Sequence, residues 1–446
     1  MPTYGSYLMV YKKKAWVVTV NMGYGHKRAA YPLREIAHKR VIDVNIDPMM
    51  PEKERKTWTR IQHSYEWISR MKSFPLVGEL VYWSFYRLQS ISPLFPIRDL
   101  SKPTYGTRLN KKLIFKKDLC KDLAEEVSKT DLPVITTYPS IALSLAYRKV
   151  KNRIFCVVTD TDINRFWVAD EPKKYDIFYL APCKHVVMRL KEYGVPESNI
   201  ILTGFPLPKG NIGDDSEILK KDIRKRLPNL DPKRRFIERN KPVLKKYLGG
   251  RIEKKSDHNL TICYLVGGAG AQKENGITIA DSLRSKLKKN KLDLVLVAGS
   301  RRDVKSYFEA RLKRIGLQDR IGKNIEILYN ADKNEYFEDL NQRLRTVDVI
   351  WTKPSEMSFY AALGIPVIMT NPLGAHEGYN KEWLEHIGAG IKEKDVRYVD
   401  GWLDFMIDSG RLAHAAFDGF TEAMSRGTYN IEAVLSKRLG KTLFEK

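Results

Sequence analysis

Residues 347–370 constrain this chain more than any other stretch. Val347-Asp348-Val349-Ile350-Trp351 is an apolar run with the length of a buried strand, and a second apolar strand runs over Ile365-Pro366-Val367-Ile368. Between them stand a polar turn, Lys353-Pro354-Ser355-Glu356, then a short helix with small residues at Ala361 and Ala362, and a stop at Gly364. A polar turn that opens a helix between two buried parallel strands is where an open α/β sheet holds a nucleotide. The segment goes on through Pro372, His376, Glu377 and Asn380 and closes on Gly388-Ala389-Gly390.

The same alternation fills the rest of the chain, twice. In the first series, strands are expected at Ala15 to Val20, Val41 to Ile46, Val134 to Thr137, Ile154 to Val158, Ile177 to Leu180 and Ile200 to Leu202. A helix is expected over Ala29 to Lys39, with Pro32 near its start. Trp58, Ile61, Tyr65, Ile68 and Met71 recur at three- and four-residue steps, an amphipathic helix, and the period continues past Pro75 to Trp83 and Arg87. The second series has strands at Thr261 to Val266, Leu294 to Ala298, Ile325 to Tyr329, Val347 to Trp351 and Val367 to Thr370. Two βαβ series predict two doubly wound, Rossmann-like domains. Their expected bounds are 1–210, with a helical excursion over 52–90, and 258–405. A linker over 211–257 joins them, and helices over 406–446 are expected to return to the first domain.

Charge shapes the choice of partners. The 446 residues carry 78 Lys and Arg against 53 Asp and Glu, a formal net charge of +25. Such a surface favours polyanions, either nucleic acid or an anionic membrane face. Residues 220–256 alone hold 15 basic and 4 acidic residues, punctuated by Pro228, Pro232, Pro242, Gly249 and Gly250. By composition this is an extended, partly helical, solvated connector. No apolar run approaches the roughly 20 residues of a membrane span, and the amino terminus lacks the charge order of a signal peptide, so the expected location is cytoplasmic. Cys120, Cys156, Cys183 and Cys263 form no CxxC pair and are expected as buried thiols.

Three motifs in a fixed order carry a resemblance. Asn21-Met22-Gly23-Tyr24-Gly25-His26 comes first. Val157-Val158-Thr159-Asp160, Trp167, Tyr193-Gly194-Val195-Pro196 and Thr203-Gly204-Phe205-Pro206 come next, and the Lys353 segment closes the order. The order resembles the GT-B glycosyltransferases, in particular the MurG-like and monogalactosyl- and monoglucosyl-diacylglycerol synthase branch. That resemblance implies two Rossmann-like domains facing across a cleft. It also implies transfer of a hexose or N-acetylhexosamine from a UDP-sugar to a hydroxyl, inverting, with a membrane lipid of diacylglycerol or polyprenyl type as acceptor. The enzyme is expected to be peripheral on the inner face of an anionic membrane, through the basic connector and the Trp83-Phe85-Tyr86-Arg87 cluster. UDP-sugar is then the donor substrate, no cofactor is required, and no specific nucleic acid is expected, since RNP and zinc-finger signatures are absent.

His26 is the expected catalytic base, an imidazole near pKa 6.5 at the edge of the sheet. Gly23, Gly25, Asp160 and Trp83 are expected on the acceptor side. The expected nucleotide-sugar contacts are Gly268, Ala269, Gly270, Arg301, Tyr329, Lys353, Pro354, Ser355, Glu356, His376, Glu377 and Asn380. The loop Gly267-Gly268-Ala269-Gly270 lacks the third Gly of a dinucleotide fingerprint and the Gly-Lys-Ser/Thr of Walker A. No His pair has metal-ligand spacing, and Asp160-Thr161-Asp162 is read as structural or acceptor-side, so no metal is expected. The chain departs from the family at three places. Phe359 stands where the family's ribose-binding Glu stands, with Glu356 three residues earlier; His376 replaces a Gln; and Asn164 replaces a His. Two other readings compete: a UDP-sugar 2-epimerase on the same fold, and a non-catalytic basic protein that binds RNA or membrane.

Overall fold

The computed structural model describes residues 13–71, 90–267, 270–372 and 375–436. Trp83, Phe85, Tyr86, Arg87, Gly268 and Ala269 lie outside the described residues. Twelve described strands form two sheets of six. The first contains β1 (Ala15–Thr19), β2 (Ala37–Asp43), β3 (Val134–Thr136), β4 (Ile154–Val157), β5 (Ile177–Ala181) and β6 (Ile200–Leu202), in the order β2-β1-β3-β4-β5-β6. The second contains β7 (Thr261–Leu265), β8 (Asp293–Gly299), β9 (Ile325–Tyr329), β10 (Val349–Thr352), β11 (Val367–Met369) and β12 (Gly390–Lys392), in the order β12-β11-β10-β7-β8-β9. Every pairing is parallel. Central strands β1, β4, β7 and β10 are buried along their whole length, as parallel strands with both faces covered must be. The expected pair of Rossmann-like domains is the observed architecture.

Strand order decides where a site can form. In each sheet the chain winds one way from its first strand and then returns to wind the other way. The reversal falls between β1 and β3 in the first sheet and between β7 and β10 in the second. At such a point the loops leaving the carboxyl ends of two neighbouring strands diverge and open a crevice.

Several elements differ from expectation. The expected helix over 29–39 is instead an α-helix over Gly25–Ala30, a 3₁₀ helix over Tyr31–Ile36 and the start of β2 at Ala37. Pro32 has no N–H to give to the preceding turn, so the α-helix cannot continue through it. β2 ends at Asp43, whose carboxylate accepts from Asn45 N–H at 3.1 Å and turns the chain, leaving Ile46 64% exposed. The basic stretch is not extended. It forms helices over Glu217–Leu230, Arg235–Arg239 and Lys241–Leu248 that bury Leu219, Ile223, Leu227, Phe236, Leu244 and Leu248. Apolar residues at three- and four-residue steps underlie the charges; Pro228 falls within the last turn of the first helix, Pro232 between helices, and Pro242 at the start of the third. The last described helix, Gly427–Ser436, packs on the loop after β6. Thr428 Oγ1 donates to the Leu207 carbonyl at 2.6 Å, and Asn430 Nδ2 donates to the Thr203 carbonyl at 2.8 Å.

Candidate active site

β1 runs into Asn21-Met22-Gly23, where Gly23 takes φ +77°, and the turn delivers Tyr24, Gly25 and His26 to the start of a helix. A positive φ is strained for any residue with a side chain, which is why glycine stands at position 23. The switch between β1 and β3 brings Thr137 and Tyr138 to the other side of the same crevice. His26 lies between them. Its Nδ1 is 2.6 Å from the Thr137 carbonyl oxygen. A carbonyl can only accept, so Nδ1 carries the hydrogen and Nε2 keeps a free lone pair. Tyr138 meets the imidazole edge-on at 5.0 Å and Trp167 tilts against it at 6.3 Å. Burial pulls the His26 pKa down, and His376 adds to that. Asp160, the Thr137 bond and Glu356 push the other way without reversing the result. The ring is therefore neutral at neutral pH with a basic nitrogen available.

The second sheet supplies the opposite wall. At its switch point the loop after β7 meets the loop after β10. A β-carbon on Gly267 would fall 2.7 Å from Lys353 Cε, so the two loops pack as closely as glycine permits. Lys353 Nζ pairs with Glu377, which is buried in the helix Ala375–His386. Gly270 takes φ +78°, and a β-carbon there would lie 3.1 Å from Arg301 Nε. Arg301 stands at the start of the helix Arg302–Arg314, forked onto Asp303 at 3.1 and 3.0 Å. Tyr329 ends β9 beneath Lys305 Nζ at 5.2 Å. Pro354 is buried, and Ser355 precedes the 3₁₀ helix Glu356–Leu363.

Two expected donor contacts are engaged elsewhere. Asn380 is fully buried: its Oδ1 accepts from the Thr161 N–H and hydroxyl, both at 2.9 Å, and its Nδ2 donates to Asp160 at 3.1 Å. It clasps the two domains together. Glu356 faces the first domain, paired with Arg28 at 3.3 Å. In a 3₁₀ helix residues three apart eclipse, so Glu356 and Phe359 point to one side. Phe359, however, is buried, stacked on Phe205 at 4.7 Å and against Trp383 at 5.3 Å.

Asp162 does not join Asp160 in an acidic pair. Its carboxylate is buried and takes Arg189 Nε at 2.8 Å, Arg189 Nη2 at 2.9 Å and His185 Nε2 at 3.0 Å. Burial alone would raise its pKa, but these bonds outweigh burial and hold it below the usual carboxylate range.

Two residues that sequence reasoning passed over complete the cleft. Tyr24 crosses to the second domain, where its hydroxyl oxygen accepts from Ser300 N–H at 2.9 Å and fills the space a side chain on Gly299 would need. Arg28 reaches Tyr336 OH at 3.1 Å. Tyr24 stands at the place that the motif G-x-G-H leaves unspecified and Arg28 follows it by one helical turn, so only a pattern of paired positions across the two domains would have marked them.

Two doubly wound domains whose switch points meet across one cleft define the GT-B architecture. Residues 316–434 match a family described as a domain of unknown function, DUF6938. Over 387 residues the chain is 24% identical to a processive diacylglycerol beta-glucosyltransferase of Bacillus subtilis, covering 85% of this chain and 83% of that protein. It is equally similar to the protein of the same description from Bacillus licheniformis, with 82% of that protein covered. A provisionally assigned UDP-N-acetylglucosamine 2-epimerase from Listeria monocytogenes has the same fold. Its crystal structure gives a TM-score of 0.50 at 12% identity over 97% of this chain and 98% of that one. The resemblance read from three motifs thus extends along most of the chain.

Proposed function

We propose that this protein is a UDP-sugar-dependent glycosyltransferase acting on a lipid hydroxyl, with His26 as the general base. The observation that carries the reading is a neutral His26 at one switch point, its Nδ1 tied to the Thr137 carbonyl and its ring near enough to Glu356 and His376 of the second domain for both to shift its pKa. The similarity to diacylglycerol glucosyltransferases supplies the substrate class.

In this reading the acceptor hydroxyl gives its proton to His26 Nε2 as its oxygen attacks the anomeric carbon from the face opposite UDP. The C–O bond to UDP breaks, and the configuration inverts. Departing negative charge is met by the loop at Gly267 to Gly270, by the start of the helix Lys273–Ser282 and by the Lys353 cation. The transferred sugar is a hexose or N-acetylhexosamine, and the reading assigns no metal and no cofactor. Tyr24, Asp160 and Trp167 belong to the acceptor side, and Arg301 and His376 to the donor side.

The protein acts from a membrane face. Among the described residues no helix is long and apolar enough to cross a bilayer. Lys241, Lys245 and Lys246 are exposed on the helix Lys241–Leu248 beside the exposed Val243 and Tyr247, a mixture suited to an anionic lipid surface.

His26→Ala is expected to reduce UDP release in the presence of diacylglycerol by about 10²-fold or more, while UDP affinity stays nearly unchanged. Loss of UDP affinity in step with turnover would make His26 a nucleotide contact and sink the assignment.

A further inference from the structure

Glu356 belongs to the second domain, yet its carboxylate is committed to the first. Oε1 accepts from Arg28 Nε at 3.3 Å. Oε2 lies 3.6 Å from where a β-carbon on Gly25, the neighbour of His26, would stand. Arg28 is 2% exposed, with its guanidinium 4.7 Å from the centre of the Phe337 ring. A cation this enclosed is strongly disfavoured without a carboxylate partner, so the pair fixes where Glu356 points. Phe359, at the place of the resembled family's ribose-binding Glu, is sealed between Phe205 and Trp383.

We propose that Glu356 is a positioning residue for His26, a carboxylate brought to the acceptor side by the second domain and fixed there by Arg28, and not a ligand of the nucleotide ribose. The proposal rests on the glycosyl-transfer reading above. His26 is surrounded by few charges. Asp160 faces it from the loop after β4, Glu356 from the 3₁₀ helix, and His376 from the helix Ala375–His386; Arg28 lies two residues on in its own helix. Thr137, Tyr138, Thr159 and Trp167 form the uncharged wall. Two carboxylates thus oppose burial and the second imidazole, and one of them arrives only when the domains meet. Within the closed cleft, His26 is then a better base with the Glu356 carboxylate beside it than it would be without that charge. The proton it takes from the acceptor hydroxyl creates an imidazolium that Glu356 and Asp160 stabilise, while the hydroxyl oxygen bonds to the anomeric carbon and UDP leaves with the electron pair of its bond.

The test compares the full-length wild type with Glu356→Gln, Glu356→Asp and His26→Ala. UDP release from UDP-glucose or UDP-galactose, with dioleoylglycerol in mixed micelles, is followed from pH 5 to 9, and UDP affinity is measured by calorimetry. Loss of the Glu356 charge is expected to move the acid limb of kcat/KM to lower pH by on the order of one unit and to lower kcat by about tenfold. UDP affinity is expected to stay within about threefold, and Glu356→Asp to keep the acid limb near that of the wild type. A tenfold or greater loss of UDP affinity with the acid limb unmoved would make Glu356 a ribose ligand and overturn the proposal. Undiminished turnover in His26→Ala would overturn the transfer reading and this proposal together, whereas an essential His26 with an unmoved limb overturns this proposal alone. Should Glu356→Gln not fold, Arg28→Lys serves in its place: reduced kcat with intact UDP affinity supports the proposal, and weakened UDP binding overturns it.

Discussion

His26 and His258 begin from the same ordinary pKa and are driven in opposite directions by their neighbours. His26 is enclosed by rings and a carbonyl, and desolvation wins. His258 is also partly desolvated, but its Nε2 is 3.2 Å from Asp348 and its Nδ1 is 2.9 Å from Asp257, and the two carboxylates raise its pKa. Asp348 is wholly buried and also accepts from Thr261 N–H at 2.8 Å and Asn229 at 3.0 Å, so His258 ties the end of the basic stretch to the entry of β7. A raised folded-state pKa means that the folded protein binds the proton more tightly than the unfolded chain. The stabilisation is complete below the unfolded pKa of about 6.5 and is lost as pH rises through the folded value. Melting temperatures of wild type and His258→Gln between pH 5.5 and 8.5 are expected to differ most at the acid end and to converge as pH rises. A difference that grew with pH would contradict the ion pairing.

At the scale of elements, the helix Glu217–Leu230 shows how a basic residue can be part of the core. Arg226 is 2% exposed and donates to four carbonyls: Val347 at 2.6 Å, Leu363 at 3.0 Å, Gly364 at 3.2 Å and Leu344 at 3.3 Å. These carbonyls flank β10 on both sides, so one guanidinium fastens the connector to the segment that leads into and out of β10, including the turn with Lys353 and Glu356. Arg226→Leu leaves the acceptors buried and unpaired, with an expected loss on the order of 3 kcal/mol that a lowered midpoint in thermal or urea unfolding would register. An unchanged midpoint would mean that water replaces the guanidinium. The strands were legible because continuous apolar runs such as Trp16 to Val18 and Leu294 to Ala298 have few other uses. The connector was not, because a charge count weighs Arg226 and Lys241 equally although one is buried and the other exposed. β12 was hidden for a related reason: Gly390-Ile391-Lys392 is too short and too mixed to stand out from a turn. Among site residues, sequence motifs named His26, Lys353 and Glu356, but they could not foretell that Asn380 and Glu356 bond across the cleft, since those partners lie more than 200 residues away.

Across the whole molecule, the two domains share one apolar core that runs from Val17 and Leu33 through Phe205 and Ile223 to Val297. Tyr24, Arg28, Tyr31 and Asn380 add polar bonds across the interface, so the cleft is closed at several points around His26. The positive charge lies differently. Arg226, Lys225 and Lys233 of the connector region are bonded to carbonyls or carboxylates, whereas Arg239, Lys241, Lys245, Lys246 and Arg251 remain on the surface. The membrane attraction proposed above would therefore rest on fewer cations than the composition suggests. Each one near an anionic bilayer contributes on the order of 1 kcal/mol, attenuated by salt over a Debye length of about 10 Å at 0.1 M. The protein is expected to cosediment with vesicles containing phosphatidylglycerol but not with pure phosphatidylcholine, and to be released as salt is raised. Replacing Lys241, Lys245 and Lys246 together by Gln is expected to weaken that binding by about 10²-fold, while activity toward diacylglycerol in neutral detergent micelles persists. Val243 and Tyr247 leave a smaller contribution that salt does not remove. Binding to neutral and anionic vesicles alike would assign the attachment to apolar side chains, and an unaltered affinity in the triple variant would move the basic surface elsewhere on the molecule.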